Sequence, residues 1–395
     1  MTNHPTFPTI RPLLDPAPEY AKWQSEAPIR RVTIWGDNSP WLVTGYADAR
    51  TVLADPRFSS DPAHPNFPHT SPGTPLQAPG LFLQMDPPDH TRLRRMLIPD
   101  FTFRRIAQME GAVQRICDDL LDAMTDGDAT EADLATSYAL PLPTFAICEL
   151  LGVPYEDHGF FHAKSNALTS VVGDPAEVKA ARMALHGYLR ALIERRMHDP
   201  ADDLVSRLAT ERVATGEATL DEATGMVSLL LVAGHETTAN MLALAAIALL
   251  QHPAQLEALR ADDSLWPGAV EELLRHLTIA HSGIRRVATE DVDLSGIRIR
   301  AGEGVVVALQ AANRDPAVYA EPNALDVRRD ASGHLAFGHG LHQCLGASFA
   351  RAGLQLGLST LFRRLPSLRI TAPLESLALS TSAAYGVRSL PVAWQ

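Results

Sequence analysis

The residues most able to do chemistry lie in Phe337-Gly-His-Gly-Leu-His-Gln-Cys344-Leu-Gly346. Glycines ahead of the cysteine permit a tight turn that a residue with a Cβ adopts poorly. The apolar period after Cys344 predicts a helix, which puts the sulfur near a helix N-terminus. Free N–H groups and the positive end of the dipole favour thiolate there over thiol. A thiolate held this way is a nucleophile or a metal ligand. The bland alternative is a buried structural cysteine. Gly346 would let a flat ligand approach the backbone closely.

Two other groupings carry reactive types. Ala233-Gly-His-Glu236-Thr237-Thr238 sets an acid beside a hydroxyl inside an apolar run. A helical threonine ordinarily bonds the carbonyl four residues back, here Ala233; without that bond the helix opens into a polar-lined groove. An acid and an alcohol beside bound dioxygen can deliver protons to it. Asp86-Pro-Pro-Asp-His90-Thr-Arg-Leu-Arg94-Arg95 opens a helix with His90 and Arg94 on one face at i, i+4. A solvated basic face is the plain reading of such a run.

The elements that must position these groups follow from pattern. Residues 31–35 and 41–45 flank a Gly/Asn/Pro turn and predict a hairpin, followed by a helix over 47–54. Residues 61–84 hold six prolines and predict a long irregular loop of the kind that is often functional. Residues 88–275 are mostly helical in period, 284–309 turn to strand, 313–340 are coil, 345–365 form a last helix, and strands close the chain. One helix-dominated α+β unit with a smaller β-rich side is expected.

Composition narrows the function. Of 395 residues, 46% are hydrophobic and 20% charged, with 34 basic and 46 acidic side chains for a net charge of −12. That is a folded globular chain, and its acidity disfavours a nucleic-acid partner. Three cysteines (Cys117, Cys148, Cys344) cannot build a disulfide scaffold or a four-thiolate site. Lysine occurs only at positions 22, 164 and 179, so nearly all positive charge is arginine, the better partner for fixed carboxylates. No signal sequence and no membrane span are expected: 226–250 is interrupted by His235, Glu236, Thr237, Thr238 and Asn240. A cytoplasmic protein is the expectation.

Taken together, the motifs resemble those of the cytochrome P450 family. Phe337, Gly340, His342, Cys344 and Gly346 match its F-x-x-G-x-[HR]-x-C-x-G pattern, and Ala233 to Thr238 are similar to its [AG]-G-x-[DE]-T-[TS] oxygen-activation motif. The 86–94 run matches D-P-P-[DE]-H-T-x-x-R, and Glu272-Leu-Leu-Arg275 matches E-x-x-R. The likeness spans residue 14 to the C-terminus.

This resemblance implies a predominantly helical α+β cytochrome P450 fold, with a large helical lobe and a smaller β-rich lobe. It implies one haem-thiolate monooxygenase domain over 1–395 without a fused reductase. Cys344 would ligate the iron of haem b, in a loop framed by Phe337 and Gly346. His90, Arg94, Arg286 and His342 would hold the propionates. Glu236 and Thr237 would be catalytic, delivering protons during oxygen activation. Glu272 and Arg275 would form a structural pair joined by Arg329, although Arg328 is adjacent; alone, E-x-x-R reads as a surface ion pair.

Also implied are a small organic substrate and dioxygen, with one oxygen atom entering a C–H or double bond. Electrons would come from a separate ferredoxin and ferredoxin reductase, steered by the cluster Arg92, Arg94, Arg95, Arg104 and Arg105, and the protein would be a monomer. Substrate choice would rest on 61–84, 160–192, 230–233, 279–284 and the turn at Ala384. The overall flavour is similar to actinobacterial enzymes of specialised metabolism or xenobiotic oxidation. A haem-binding sensor without turnover and a haem-free enzyme with a nucleophilic Cys344 are the other classes open to this sequence.

Overall fold

The apolar run around Glu236 forms one unbroken helix of 32 residues, Leu220–Gln251, started by a capping box between Thr219 and Glu222. The computed structural model describes residues 4–35, 38–69, 78–169, 175–381 and 384–395. Among them this is the one helix long and apolar enough to cross a membrane, and 72% of its most apolar window is buried inside the protein. It is a core helix. Pro141–Leu151 and Ala347–Arg364 pack against it, and Phe103–Met124 packs on those two helices. Their apolar residues recur at helical spacing, as in Ile106, Met109, Val113, Cys117 and Leu121. Cys117 and Cys148 are buried there, and burial pushes both thiols up to about 12. They are packing residues.

The smaller side is a five-stranded sheet in the order Ile29–Arg31, Trp41–Val43, Gly304–Val307, Ile284–Ala288, Phe58–Ser59. Its first two strands form the expected hairpin, but in the register Ile29↔Val43, so the first strand lies two residues before the predicted 31–35. Beyond Arg31 the Val32 N–H still donates to the Pro40 carbonyl at 3.1 Å, but Pro40 has no N–H to return the bond, so the ladder stops there. The strand pattern expected to run to 309 stops at Val307, and the chain turns into Leu309–Ala312. The last helix falls where its period put it, at Ala347–Arg364.

One strand inside the predicted helical region was not legible. Glu131–Asp133 pairs with Pro391–Ala393, yet its residues show no apolar alternation. The described parts of 61–84 are irregular apart from a short turn at Phe82–Gln84, as expected; 70–77 lie outside the described residues. The fold is α+β and mainly helical, with the long helix on one side of the Cys344 loop and the sheet supplying Arg286.

Candidate active site

Gly338 and Gly340 take φ of +71° and +73°, the left-handed turn that glycine permits. At Gly340 a Cβ would meet the Leu53 carbonyl and lie 2.8 Å from Ala54 Cα. The loop is thereby pressed onto the helix Tyr46–Ala54. Its return is fixed by the Cys344 N–H, which donates to the Phe337 carbonyl at 2.8 Å. The Cys344 side chain is left exposed, three residues before the helix Ala347–Arg364.

The expectation of a favoured thiolate is corrected here. Burial of the sulfur's surroundings raises the thiol above its ordinary value, and this outweighs the Gly346 N–H and the Arg94 and Arg351 guanidiniums that pull it down.

Four nitrogen-bearing side chains gather beside it from three elements. The rings of His90 and His342 stand 4.1 Å apart. His90, on the helix Asp89–Leu97, is 1% exposed, and neither ring nitrogen has a hydrogen-bond partner. Arg94, one turn on, donates to the Gln343 carbonyl at 2.5 Å, next to Cys344. Arg286, from Ile284–Ala288, is 7% exposed and forms no ion pair among the described residues. Burial brings its guanidinium down to about 10 despite Asp86 nearby. Burial, with Arg286, His90 and Arg94 adding repulsion, holds the His342 ring near 3.

Sequence reasoning missed the groups behind this cradle. Ser60 Oγ lies 3.0 Å from His342 Nε2, and the Ser60 N–H donates to Asp86 at 2.9 Å. No local pattern joins positions 60 and 342. Behind Phe337, Arg351 lies over the ring at 4.7 Å and clasps Glu271 through bonds of 2.6 and 2.8 Å. His334 Nε2 is 3.3 Å from the same carboxylate.

On the long helix, Thr237 is exposed and Glu236 half-buried. The Thr237 hydroxyl donates to the Ala233 carbonyl at 2.6 Å. The local opening that a missing back-bond would have produced is absent, and the helix is continuous. The Glu272–Arg275 pair is fully buried, and Arg329, not Arg328, joins it, with Nε 3.2 Å from Glu272.

The basic cluster divides. Arg92 pairs with Glu222 and Arg105 with Asp202, while Arg94 turns to the Cys344 loop. Arg95 and Arg104 stay exposed without an ion pair among the described residues. Only part of the expected five-arginine face is therefore available to a partner.

The cradle suits a flat, dianionic ligand carrying a thiolate-seeking metal. Two orphaned nitrogens on a buried ring and a buried, unpaired guanidinium each cost free energy unless an acceptor joins them. Haem, with two propionates and an iron atom, meets these needs together.

The comparisons decide the family. A sequence model described as Cytochrome P450 matches residues 171–368. Over 383 residues the chain is 49% identical to Cytochrome P450-SU2 of Streptomyces griseolus, covering 96% of this chain and 94% of that one. The chain is a cytochrome P450. It is also 42% identical to Cytochrome P450 monooxygenase PikC of Streptomyces venezuelae, over 96% of this chain and 91% of the relative. The crystal structure of CYP105P1 in complex with filipin I is similar with a TM-score of 0.92 and 41% identity, covering 100% of this chain and 99% of that one. This P450 is accordingly a haem-thiolate oxidoreductase of the monooxygenase type, acting with dioxygen on small organic molecules.

Proposed function

We propose that this P450 hydroxylates or epoxidises a small organic substrate of specialised metabolism or xenobiotic oxidation. Electrons come from a separate ferredoxin and its reductase, and residues 1–395 work as one haem-carrying unit. The observation that carries this reading is the exposed Cys344 sulfur beside the buried His90 ring, whose two nitrogens have no hydrogen-bond partner, and the buried Arg286 guanidinium, which has no ion pair among the described residues. Haem b, when bound, supplies the iron at which dioxygen is activated.

The chain's own residues do the rest. Cys344 gives the thiolate ligand, and the Phe337 carbonyl fixes the loop through the Cys344 N–H. His90, Arg94, Arg286 and His342 supply donors for two carboxylates. Arg94 is shared between that task and the Gln343 carbonyl, so it couples cofactor binding to loop position. The Glu236 carboxyl, adjacent in sequence to Thr237, is the acid that supplies protons to it. The Thr237 hydroxyl can pass a proton only after leaving the Ala233 carbonyl, because its single O–H is committed there.

An acidic ferredoxin suits the face near the Cys344 loop. Arg95 and Arg104 are exposed there together with Ile98 and Phe103, and the Phe101 ring lies 3.9 Å from where a Gly346 Cβ would be. Positive rims around apolar centres recruit acidic partners.

Cys344→Ser tests the reading. The reduced carbon monoxide complex of the parent should show the red-shifted Soret band of thiolate ligation, and the variant should lack it. Survival of that band in the variant would remove Cys344 as ligand.

A further inference from the structure

Gly225, Ser228, Val232 and Glu236 lie at i, i+3, i+7 and i+11 on the helix Leu220–Gln251, one stripe of its surface. A cavity of 530 Å³ opens against the first part of that stripe. Leu185 and Leu189 of the facing helix Pro175–Arg196 wall it, as do Pro79 and Leu81 of the loop. Its surface is mainly apolar.

Loop and helix meet backbone to backbone at one end. A Cβ on Gly225 would overlap the Pro79 carbonyl, and one on Gly80 would lie 2.6 Å from the Met226 nitrogen. The cavity is thus shut beside Gly225. In the other direction the stripe continues through Val232 and Ala233 to Thr237, all exposed on an otherwise largely buried helix.

Three polar features interrupt the apolar wall. Ser228 Oγ is buried without a hydrogen-bond partner, an unmet need that a bound molecule would fill. Arg182 and His186, at i, i+4 on the facing helix, line the same cavity. Both are exposed and make no ion pair among the described residues. Asp221, the acid among the lining residues, is engaged by Arg190. Arg190 also lies 3.5 Å from Glu194, and Arg182 is the lining cation that has no acid of its own among the described residues.

We propose that the substrate is an elongated, mostly apolar molecule with a terminal carboxylate, captured by Arg182 with His186 and steadied by Ser228. The guanidinium fork suits a carboxylate better than an ammonium would. Thr237 lies nine positions beyond Ser228, so the molecule must span about 14 Å to bring a carbon to the oxygen-activating end. This substrate class rests on the monooxygenase reading above and refines it.

The test uses the haem-loaded protein and three probes: tetradecanoic acid, its methyl ester, and octanoic acid. Binding is followed by calorimetry and by the substrate-induced spin-state change. The long acid should bind about tenfold or more tighter than its ester, the worth of one charge-assisted contact, and only the long acid should shift the spin state. Arg182→Met should erase the preference while leaving ester affinity unchanged, and Ser228→Ala should weaken acid and ester alike. Equal affinity for acid and ester, or a preference that survives Arg182→Met, overturns the proposal. Failure of all three probes to bind overturns it as well, and the P450 reading stands if the reduced carbon monoxide complex keeps its thiolate band. Absence of that band from the parent protein would sink the reading beneath it.

Discussion

His90 and His342, 252 positions apart in sequence, place their rings 4.1 Å apart at a tilt of 42°. Only His342 has a partner, Ser60; the two nitrogens of His90 are buried with none. His90→Phe keeps the packed ring and removes both nitrogens. Relief of buried, unsatisfied polar atoms should stabilise the apoprotein by about 1–3 kcal/mol. Loss of a propionate donor should weaken haem binding about tenfold. Urea unfolding of the apoprotein and haem-to-protein ratios after dilution measure the two effects. A purely structural His90 would move both in the same direction.

The Glu272–Arg275 pair calls for a different outcome. Arg275 is completely buried, clasping Glu272 through bonds of 2.6 and 2.8 Å and donating to the carbonyls of Asn313 and Pro322 at 2.9 Å each. Glu272→Ala strands a guanidinium in the interior and should cost about 3–5 kcal/mol. Arg329→Met removes a less buried partner and should cost about 1 kcal/mol. The exposed Arg328→Met should stay within about 0.5 kcal/mol of the parent. Denaturant midpoints of the three variants check this order.

Acid sensitivity should trace in part to His276. Burial, followed by repulsion from Arg314 and Arg275, holds its folded pKa at about 2, against about 6.5 when unfolded. Below about 6.5 the unfolded chain takes up a proton that the folded protein refuses. Stability should therefore fall with falling pH across that window, at about 1.4 kcal/mol per pH unit for this one proton. Above the window the residue contributes no slope. His276→Leu should make the fall shallower between pH values of about 6 and 4 in urea titrations. An unchanged slope would assign the acid sensitivity to other groups.

What the sequence revealed follows the range of the forces involved. The turn at Gly338 and Gly340, the long helix and the helix Ala347–Arg364 were legible because glycine freedom and apolar period are local properties. Ser60 behind His342, and Glu271 beneath Arg351, were not, because tertiary folding alone brings them together. The Cys344 thiol shows the same limit in energetic form. Its position near a helix start was readable, but the desolvation that reverses the expected shift depends on the surrounding packing. Likewise Arg92 and Arg105 looked available in sequence until Glu222 and Asp202 came within reach.

Thr237 offers a test of proton delivery that separates chemistry from binding. Its hydroxyl is bonded to the Ala233 carbonyl at 2.6 Å, so Thr237→Ala removes a bond internal to an already continuous helix. Thermal stability and haem content should stay near parental values. Product formed per reductant consumed should fall about tenfold, with peroxide or water as the balance, a loss in the usual range for a general acid–base group. Thr237→Ser should recover most of the coupling. Full coupling in the alanine variant would exclude the hydroxyl from proton delivery.

Arg95 and Arg104 are the groups that can still steer a redox partner once the paired arginines are set aside. Both are exposed beside Ile98 and Phe103, which is 80% exposed, on a chain of net charge −12. For the acidic ferredoxin proposed above, the net negative charge opposes approach, so local positive charge should have a large effect on productive encounters. Arg95→Glu with Arg104→Glu should slow ferredoxin-dependent reduction about tenfold or more at low salt. Because the Debye length shrinks to about 3 Å at 1 M salt, parent and variant rates should converge as ionic strength rises. Phe103→Ser should instead slow reduction by a factor that salt does not change, since its contact is apolar. Stopped-flow reduction across a salt series distinguishes the two behaviours, and a double charge reversal without effect at low salt would place the ferredoxin on another face.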